Sequence, residues 1–252
     1  VGAVDDPLLS RIEDAGLNAS APPEQRWLDG WLLRFSPGKA KRARCINAVA
    51  DGRSPLADRL AWAQAAYTEA ALPLILRVTP FTRPASLDDD VAALGWRRFD
   101  DTRVMVWRDF APTSGNLRPR PVSVTAYAEI VGQLRGTPPN QRAAHAQRML
   151  ASPVPYEGFV LEEGGEILAC GQSVREADLV GLYDVFTAPA ARGRGMAGAL
   201  CRWLLAQAAQ AGARHAYLQV DGDNGQARSV YSRMGFQDAY RYHYRTPEIS
   251  EV

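Results

Sequence analysis

Two related α/β domains are the organisation that this 252-residue sequence predicts, and three observations carry that reading. Short apolar strands alternate with segments of helical period along most of the chain. A proline-rich stretch with little apolar material interrupts the pattern near the middle, and the order of elements then repeats. The length suits one large domain or two small ones.

In the first half, residues 31–35 and 45–49 read as short strands. Leu56, Leu60, Ala63 and Tyr67 share one helical face, residues 73–79 form a further strand, and 87–94 a short helix that Gly95 ends. Residues 103–107 close the half as a strand. The stretch D-F-A-P-T-S-G-N-L-R-P-R-P, from Asp109 to Pro121, holds three prolines, Ser114 and Gly115 and has little to bury. The division therefore runs as a first domain over 1–110, a linker over 111–121 and a second domain over 122–252.

The second half gives clearer signals. Residues 157–162 and 166–175 form a hairpin about Gly164-Gly165, and 179–187 a third strand. Met196, Leu200, Trp203 and Leu204 make a helical stripe stopped at Gly212, and a buried strand follows over 215–220. Ala227, Val230, Tyr231 and Met234 make a second stripe stopped at Gly235, before an aromatic strand over 240–245. L-R-V-T at Leu76 matches L-Q-V-D at Leu218, 142 residues on, and L-G-W at Leu94 matches M-G-F at Met234, 140 residues on. Near-equal offsets of this length point to duplication rather than a solenoid. A helix expected over 139–150 has no counterpart in the first half.

With 29 basic and 28 acidic residues the net charge is +1, too little to hold nucleic acid or an anionic membrane by overall field. Cys45, Cys170 and Cys201 are far apart, as are His145, His215 and His243, so neither a disulfide framework nor a metal site is expected. The longest apolar runs fall short of the ~20 residues that span a bilayer. Asp5 and Asp6 stand where an export signal wants basic residues, so the expected compartment is the cytoplasm. Lys39, Lys41, Arg42 and Arg44 read as a solvated basic turn, and Trp27 and Trp31 as core packing across the domain interface.

The segment that carries chemistry is V-F-T-A-P-A-A-R-G-R-G-M-A-G-A-L, Val185 to Leu200, in which a strand runs through a glycine-rich turn into a helix. Such a turn binds phosphate: the glycines admit close approach, the first-turn N–H groups lack intrahelical acceptors, and the helix dipole favours an anion. Gly193, Gly195 and Gly198, with Asp221 ending the next strand, also satisfy a dinucleotide fingerprint. Against that reading, Ala188 to Arg192 separate the strand from the first glycine, and too few residues follow Asp221 for further parallel strands.

Arg192-Gly193-Arg194-Gly195-Met196-Ala197 resembles the Q/R-x-x-G-x-G/A pyrophosphate loop of the GNAT N-acetyltransferase superfamily. D-V-F-T-A-P before it and N-x-x-A-x-x-x-Y-x-x-x-G-F, Asn224 to Phe236, behind it extend the resemblance over roughly residues 122–245. The resemblance implies tandem GNAT domains, each an antiparallel-rich mixed sheet that splays open beside its fourth strand to receive acetyl-coenzyme A. It implies that Val185, Phe186 and Thr187 meet the pantetheine arm, and that Arg192, Gly193, Arg194, Gly195, Met196 and Ala197 meet the pyrophosphate. Asn224 and Arg228 would lie near pantetheine or nucleotide.

By the same resemblance Tyr231 is the general acid, and its place on the apolar helical face turns it inward. A lysine-like acceptor with a pKa near 10.4 costs about 4.6 kcal/mol to deprotonate at pH 7, so a base or water relay is expected. Asp184 is the candidate base, with Glu157 and Glu162 weaker ones, and His243 reads as structural. The first half is expected to be degenerate. Its loop, D-G-R-S-P-L from Asp51, lacks the second glycine, and Val91 stands where the repeat puts Tyr231. Its role would be to wall the acceptor pocket or to stabilise the other half. The expected activity is direct acetyl transfer to a primary amine of a small molecule or peptide, without a metal; a homodimer is compatible with it. A coenzyme A-binding module without turnover is the alternative.

Overall fold

The computed structural model describes residues 2–113 and 115–247, so Ser114 of the linker lies outside the described residues. The first half contains α1 (Pro7–Ala19), β1 (Glu24–Leu28), β2 (Trp31–Phe35), β3 (Ile46–Ala48), α2 (Leu56–Glu69), β4 (Leu76–Val78), α3 (Leu87–Ala93) and β5 (Arg97–Trp107). The second contains β6 (Arg120–Val122), α4 (Val124–Leu134), α5 (Pro139–Leu150), β7 (Tyr156–Glu163), β8 (Glu166–Glu176), β9 (Leu179–Thr187), α6 (Met196–Gln210), β10 (His215–Asp221), α7 (Gly225–Met234) and β11 (Gln237–Thr246). Strand, strand, strand, helix, strand, helix, strand thus occurs twice, from β1 to β5 and from β7 to β11.

All of these strands join one 11-stranded sheet, ordered β1-β2-β3-β4-β11-β5-β10-β9-β8-β7-β6. Replacing each strand by its counterpart reverses the order between β1 and β7, so the sheet carries an approximate two-fold relation. Among the described strands only β3–β4 and β9–β10 pair in parallel, which makes the sheet mixed and mostly antiparallel. The halves have exchanged their last strands: β5 pairs with β10, and β11 pairs with β4. Met105 and Phe110, which precede the linker, accordingly lie in the core under α6 and α7. The stretch over 111–121 ends one repeat without dividing the core.

Helices cover both faces. One face carries α2 and α3 over the first half and α6 and α7 over the second, and the other carries α1, α4 and α5. Helix α1, for which the sequence reading offered no element, starts where Asp6 accepts the Leu8 N–H at 3.0 Å, with Pro7 at its first position. It buries Leu9, Ile12, Ala15 and Ala19. From it Glu13 reaches Arg77 of β4, and Tyr240 of β11 donates to Glu13 at 2.7 Å. Burial works to raise the Glu13 carboxyl, but Arg77 holds it below the ordinary range. Removing one partner would strand a buried charge, a loss of about 3–5 kcal/mol, so this pair locks α1 to strands of both halves.

Two expectations need correction. Trp31 is buried, but in the first half's own core beneath the Arg59 guanidinium at 4.9 Å, while Trp27 is 66% exposed because β1 is an edge strand. The basic run is no solvated turn either. Lys41 pairs with Asp100 at 2.6 Å, and Arg42 turns inward to Gln219 and Tyr242 of the second half.

Candidate active site

The site begins with a fault in the sheet. Between β8 and β9 the register runs from Cys170↔Phe186 to Gln172↔Tyr183, so Gly171 alone faces both Asp184 and Val185. This is a β-bulge, and Asp184 takes a left-handed φ of +49° there. Tyr127 of α4 pins the bulge by donating its hydroxyl to the Asp184 carbonyl at 2.9 Å. On the other side of β9, pairing with β10 stops at Leu182↔Leu218, although β9 continues to Thr187 and β10 to Asp221. The edge of β9 over residues 183–187 is therefore left without a strand partner on that side.

Beyond that edge the chain reaches the glycine turn. Gly193 and Gly195 have φ of +78° and +74°, conformations that cost other residues about 1 kcal/mol or more. No atom lies within 4 Å of where a Cβ would stand at either position, so the turn is open as well as strained for side chains. Gly195 is the N-cap of α6 and supplies no side-chain acceptor, which leaves the first-turn N–H groups of Met196 and Ala197 uncapped. Arg192 and Arg194 are exposed beside them, the first 5.9 Å from the Phe186 ring and the second 3.2 Å from Glu163. Uncapped donors, a helix dipole and two guanidinium groups give this turn the chemistry that favours an anion.

A cavity of about 440 Å³ opens where β9 and β10 part. Of the catalytic and carrier-binding residues expected from the resemblance and the candidate base, Asp184, Val185, Asn224 and Tyr231 line it. Phe186, Thr187, Arg192, Gly193, Arg194, Gly195, Met196, Ala197 and Arg228 do not; all but Arg228 continue from Val185 along β9, the turn after it and the start of α6. Asn224 caps α7, its Oδ1 accepting the Ala227 N–H at 3.0 Å. Arg228 is committed elsewhere, donating to the Gly222 carbonyl at 3.2 Å and to Asp238 at 2.6 Å. Tyr231 packs edge-on against Phe236, and its hydroxyl has no hydrogen-bond partner among the described residues. Burial pushes its ionisation well above that of an ordinary phenol, so it stays a donor at neutral pH.

Residues 94–236 match the model of the acetyltransferase (GNAT) family, over half of the chain. The chain is a GNAT acetyltransferase family member. The match starts at the end of α3 and so includes the exchanged strand β5. The chain is 27% identical over 230 residues to YobR of Bacillus subtilis strain 168, an uncharacterised N-acetyltransferase, covering 88% of this chain and 91% of that one. Among solved structures, a GCN5-related N-acetyltransferase from Kribbella flavida superposes with a TM-score of 0.66 at 14% identity, over 95% of both chains. A tandem GNAT protein from the clavulanic acid biosynthesis pathway gives 0.57 at 15% identity, over 79% of this chain and 72% of that one. At these identities the structures report the fold.

Within this GNAT fold, sequence reasoning missed the cluster around Asp184. His145 Nε2 of α5 lies 3.0 Å from Asp184 Oδ2, and Arg135 donates its Nη1 to Oδ1 at 3.0 Å. Burial alone would raise the Asp184 carboxyl, but these two partners, with Arg148 beyond, hold it well below the ordinary carboxylate range. Gln141, Ala144, His145 and Arg148 all face the cavity from α5, the helix without a repeat counterpart. Their spacing of three or four was the legible signal. Glu157 and Glu162 lie outside the cavity lining, paired with Arg175 and Arg120. His243 is held by Asp88 at 2.9 Å.

The dinucleotide alternative fails on topology, because β10 lies between parallel β9 and antiparallel β5 rather than inside a parallel sheet. Among the described residues no cluster of His, Cys, Asp or Glu could hold a metal ion, and no helix is long and apolar enough to cross a membrane.

Proposed function

We propose that this protein transfers the acetyl group of acetyl-coenzyme A to a primary amine by direct attack in a ternary complex, with no covalent enzyme intermediate. One observation carries the reading: an unpaired strand edge leads from a polar cavity straight into an uncapped helix N-terminus. A flexible acyl carrier with phosphates at one end needs that combination. The residues fit it, since nothing occupies the space above Gly193 and Gly195 and the β9 edge is free to pair.

Acetyl-coenzyme A supplies a thioester carbonyl for the amine and a thiolate as leaving group. The protein's part is to hold the carrier, present the amine and move two protons. Backbone groups over residues 185–187 align the pantetheine arm, and the N–H groups of residues 193–197 with the Arg192 and Arg194 side chains hold the pyrophosphate. His145, whose Nε2 lies 3.0 Å from Asp184, accepts the amine proton at its other ring nitrogen, while Asp184, kept ionised, orients the ring. The new C–N bond forms as C–S breaks, and the Tyr231 hydroxyl donates its proton toward the sulfur. The three cysteines are buried free thiols, Cys201 pushed up to about 12 by burial, so a nucleophilic thiolate is not part of the scheme. Free thiols also suit a reducing cytoplasm, where we place the enzyme.

Isothermal titration with acetyl-coenzyme A, coenzyme A and NAD tests the carrier. The first two bind and NAD does not; preference for NAD, or no binding of either coenzyme A species, sinks the reading. Tight coenzyme A binding with no thiol release on any amine would leave a non-catalytic coenzyme A-binding module.

A further inference from the structure

The cavity carries more positive charge than an acetyl transfer to a plain alkylamine calls for. Lys39, Arg42, Arg135 and Arg148 line it against the carboxylates of Asp184 and Asp221. Arg135 is matched by Asp184 at 3.0 Å, and Asp221 accepts the Asp223 N–H in the turn before α7. Arg42 and Arg148 have no carboxylate at ion-pair distance among the described residues. Arg42 donates Nη1 to the Gln219 side-chain oxygen and, at 3.2 Å, to the Tyr242 hydroxyl. Arg148, 7% exposed, donates Nη1 to the Ala19 carbonyl at 3.3 Å and to the Tyr156 hydroxyl at 3.5 Å. Every one of these partners is neutral.

Both arginines line the one cavity although they come from opposite halves. A buried guanidinium satisfied only by neutral groups gains strongly from a carboxylate, through short charge-assisted bonds. On the same wall, the Gln141 side-chain oxygen is buried and has no hydrogen-bond partner. That acceptor, two turns before Arg148 on α5 and one before His145, calls for an N–H donor.

We propose that the acceptor is an amino acid or a close analogue, an amine that carries its own carboxylate. Arg42 and Arg148 hold the carboxylate, and Gln141 takes an N–H of the amine beside His145. This rests on the acyl-transfer reading above and narrows its acceptor. A polyamine or a lysine-rich peptide would bring further positive charge to a wall that already has two guanidinium groups without a carboxylate at ion-pair distance. The first half, without a coenzyme A loop of its own, keeps a function through Arg42.

The test follows thiol release from acetyl-coenzyme A with matched acceptors: the common α-amino acids and two ω-amino acids, each beside its carboxamide and the amine lacking the carboxylate, plus spermidine. At least one acid is expected to show a kcat/KM about 30-fold above its carboxamide. Arg42→Met and Arg148→Met each shrink that ratio to within about threefold, with acetyl-coenzyme A affinity by titration unchanged. Arg148→Lys restores part of it, which a purely structural role for Arg148 would not produce. If Arg148→Met does not fold, the wild-type acid-to-carboxamide ratio and Arg42→Met decide alone. A carboxamide or spermidine used as well as the best acid, or acetyl-coenzyme A binding with no acid acetylated, overturns this proposal and spares the carrier assignment. Loss of acetyl-coenzyme A binding in the wild type overturns both.

Discussion

Helices α2 and α6 occupy counterpart places in the two halves, Leu56 and Met196 opening them 140 residues apart, and neither has a side-chain cap, yet the turns that lead into them differ. At α6 the donors are open and the N-cap is Gly195 at φ +74°. At α2 the N-cap is Pro55, which has no N–H to offer, and the Asp29 carboxylate takes the N–H groups of Ser54 at 2.8 Å and Arg53 at 3.0 Å. Those backbone bonds, Ser54 first, hold the Asp29 carboxyl below the ordinary range. The buried Arg59 side chain lies over Gly52, where a Cβ would collide with its guanidinium. Val91 is fully buried in the first half's core, whereas its counterpart Tyr231 lines the cavity. The first half thus fills the turn before its helix with its own carboxylate and an arginine side chain, whereas the counterpart turn of the second half is open at Gly193 and Gly195. Packing needs the space filled, and binding needs it empty.

The comparison breaks most completely when the halves are separated. A chain starting at residue 122 lacks β5, the strand that pairs with both β10 and β11. It should show no cooperative thermal transition and no acetyl-coenzyme A binding, and a sharp transition with retained binding would mean that the exchanged strand is dispensable.

Gly195→Asp copies the first half's device into the second. A carboxylate at the uncapped donors, on a residue forced to positive φ, should weaken acetyl-coenzyme A binding about 100-fold or more. Strain costs about 1 kcal/mol, so Tm falls by about 2–4 °C. Affinity within threefold of wild type would place the pyrophosphate elsewhere.

Tyr231→Phe and Val91→Ala separate chemistry from packing at counterpart positions. The first should lower kcat about 10²-fold with the KM for acetyl-coenzyme A little changed. The second should leave kcat alone and destabilise by about 2 kcal/mol, the loss of two buried methyl groups and the space they leave. If kcat in Tyr231→Phe is unchanged with chemistry rate-limiting, Tyr231 is a packing residue like Val91.

Acid should act through Asp184. Its folded-state pKa lies below the unfolded value near 3.9, so its contribution to stability is complete above that pH and is lost as pH falls toward the folded value. Melting temperatures of wild type and Asp184→Asn should converge as pH drops below about 4. A gap that stays constant from pH 7 to pH 2 would deny the ion pairs with Arg135 and His145 any part in stability.

Arg194→Ala should do least. The side chain is exposed and its pair with Glu163 is solvated, so stability should move by less than about 0.5 kcal/mol. Acetyl-coenzyme A affinity should fall only about threefold, since the backbone donors remain.

Local signals determined much of this protein on their own. Helical spacing located α2, α6 and α7, Gly212 and Gly235 ended the last two, and R-G-R-G-M-A marked the open glycine turn before α6, because periodicity, positive φ and uncapped N–H groups are properties of a few adjacent residues. Other features depended on partners distant in the chain. No pattern in residues 7–19 announced that Glu13 would meet Arg77 and Tyr240, and the three isolated histidines hid the one that lies 3.0 Å from Asp184. The exchange of β5 and β11 was equally silent, since pairing depends on which edges meet and not on what either strand contains. Arg42 shows the limit most clearly: in sequence it belongs to a basic run, and only the two-fold packing of the halves brings it against Gln219 and Tyr242 and into the lining of the cavity that Arg148 also lines. A side chain's environment in a folded protein is set by the sum of long-range contacts, which a local window of sequence does not contain.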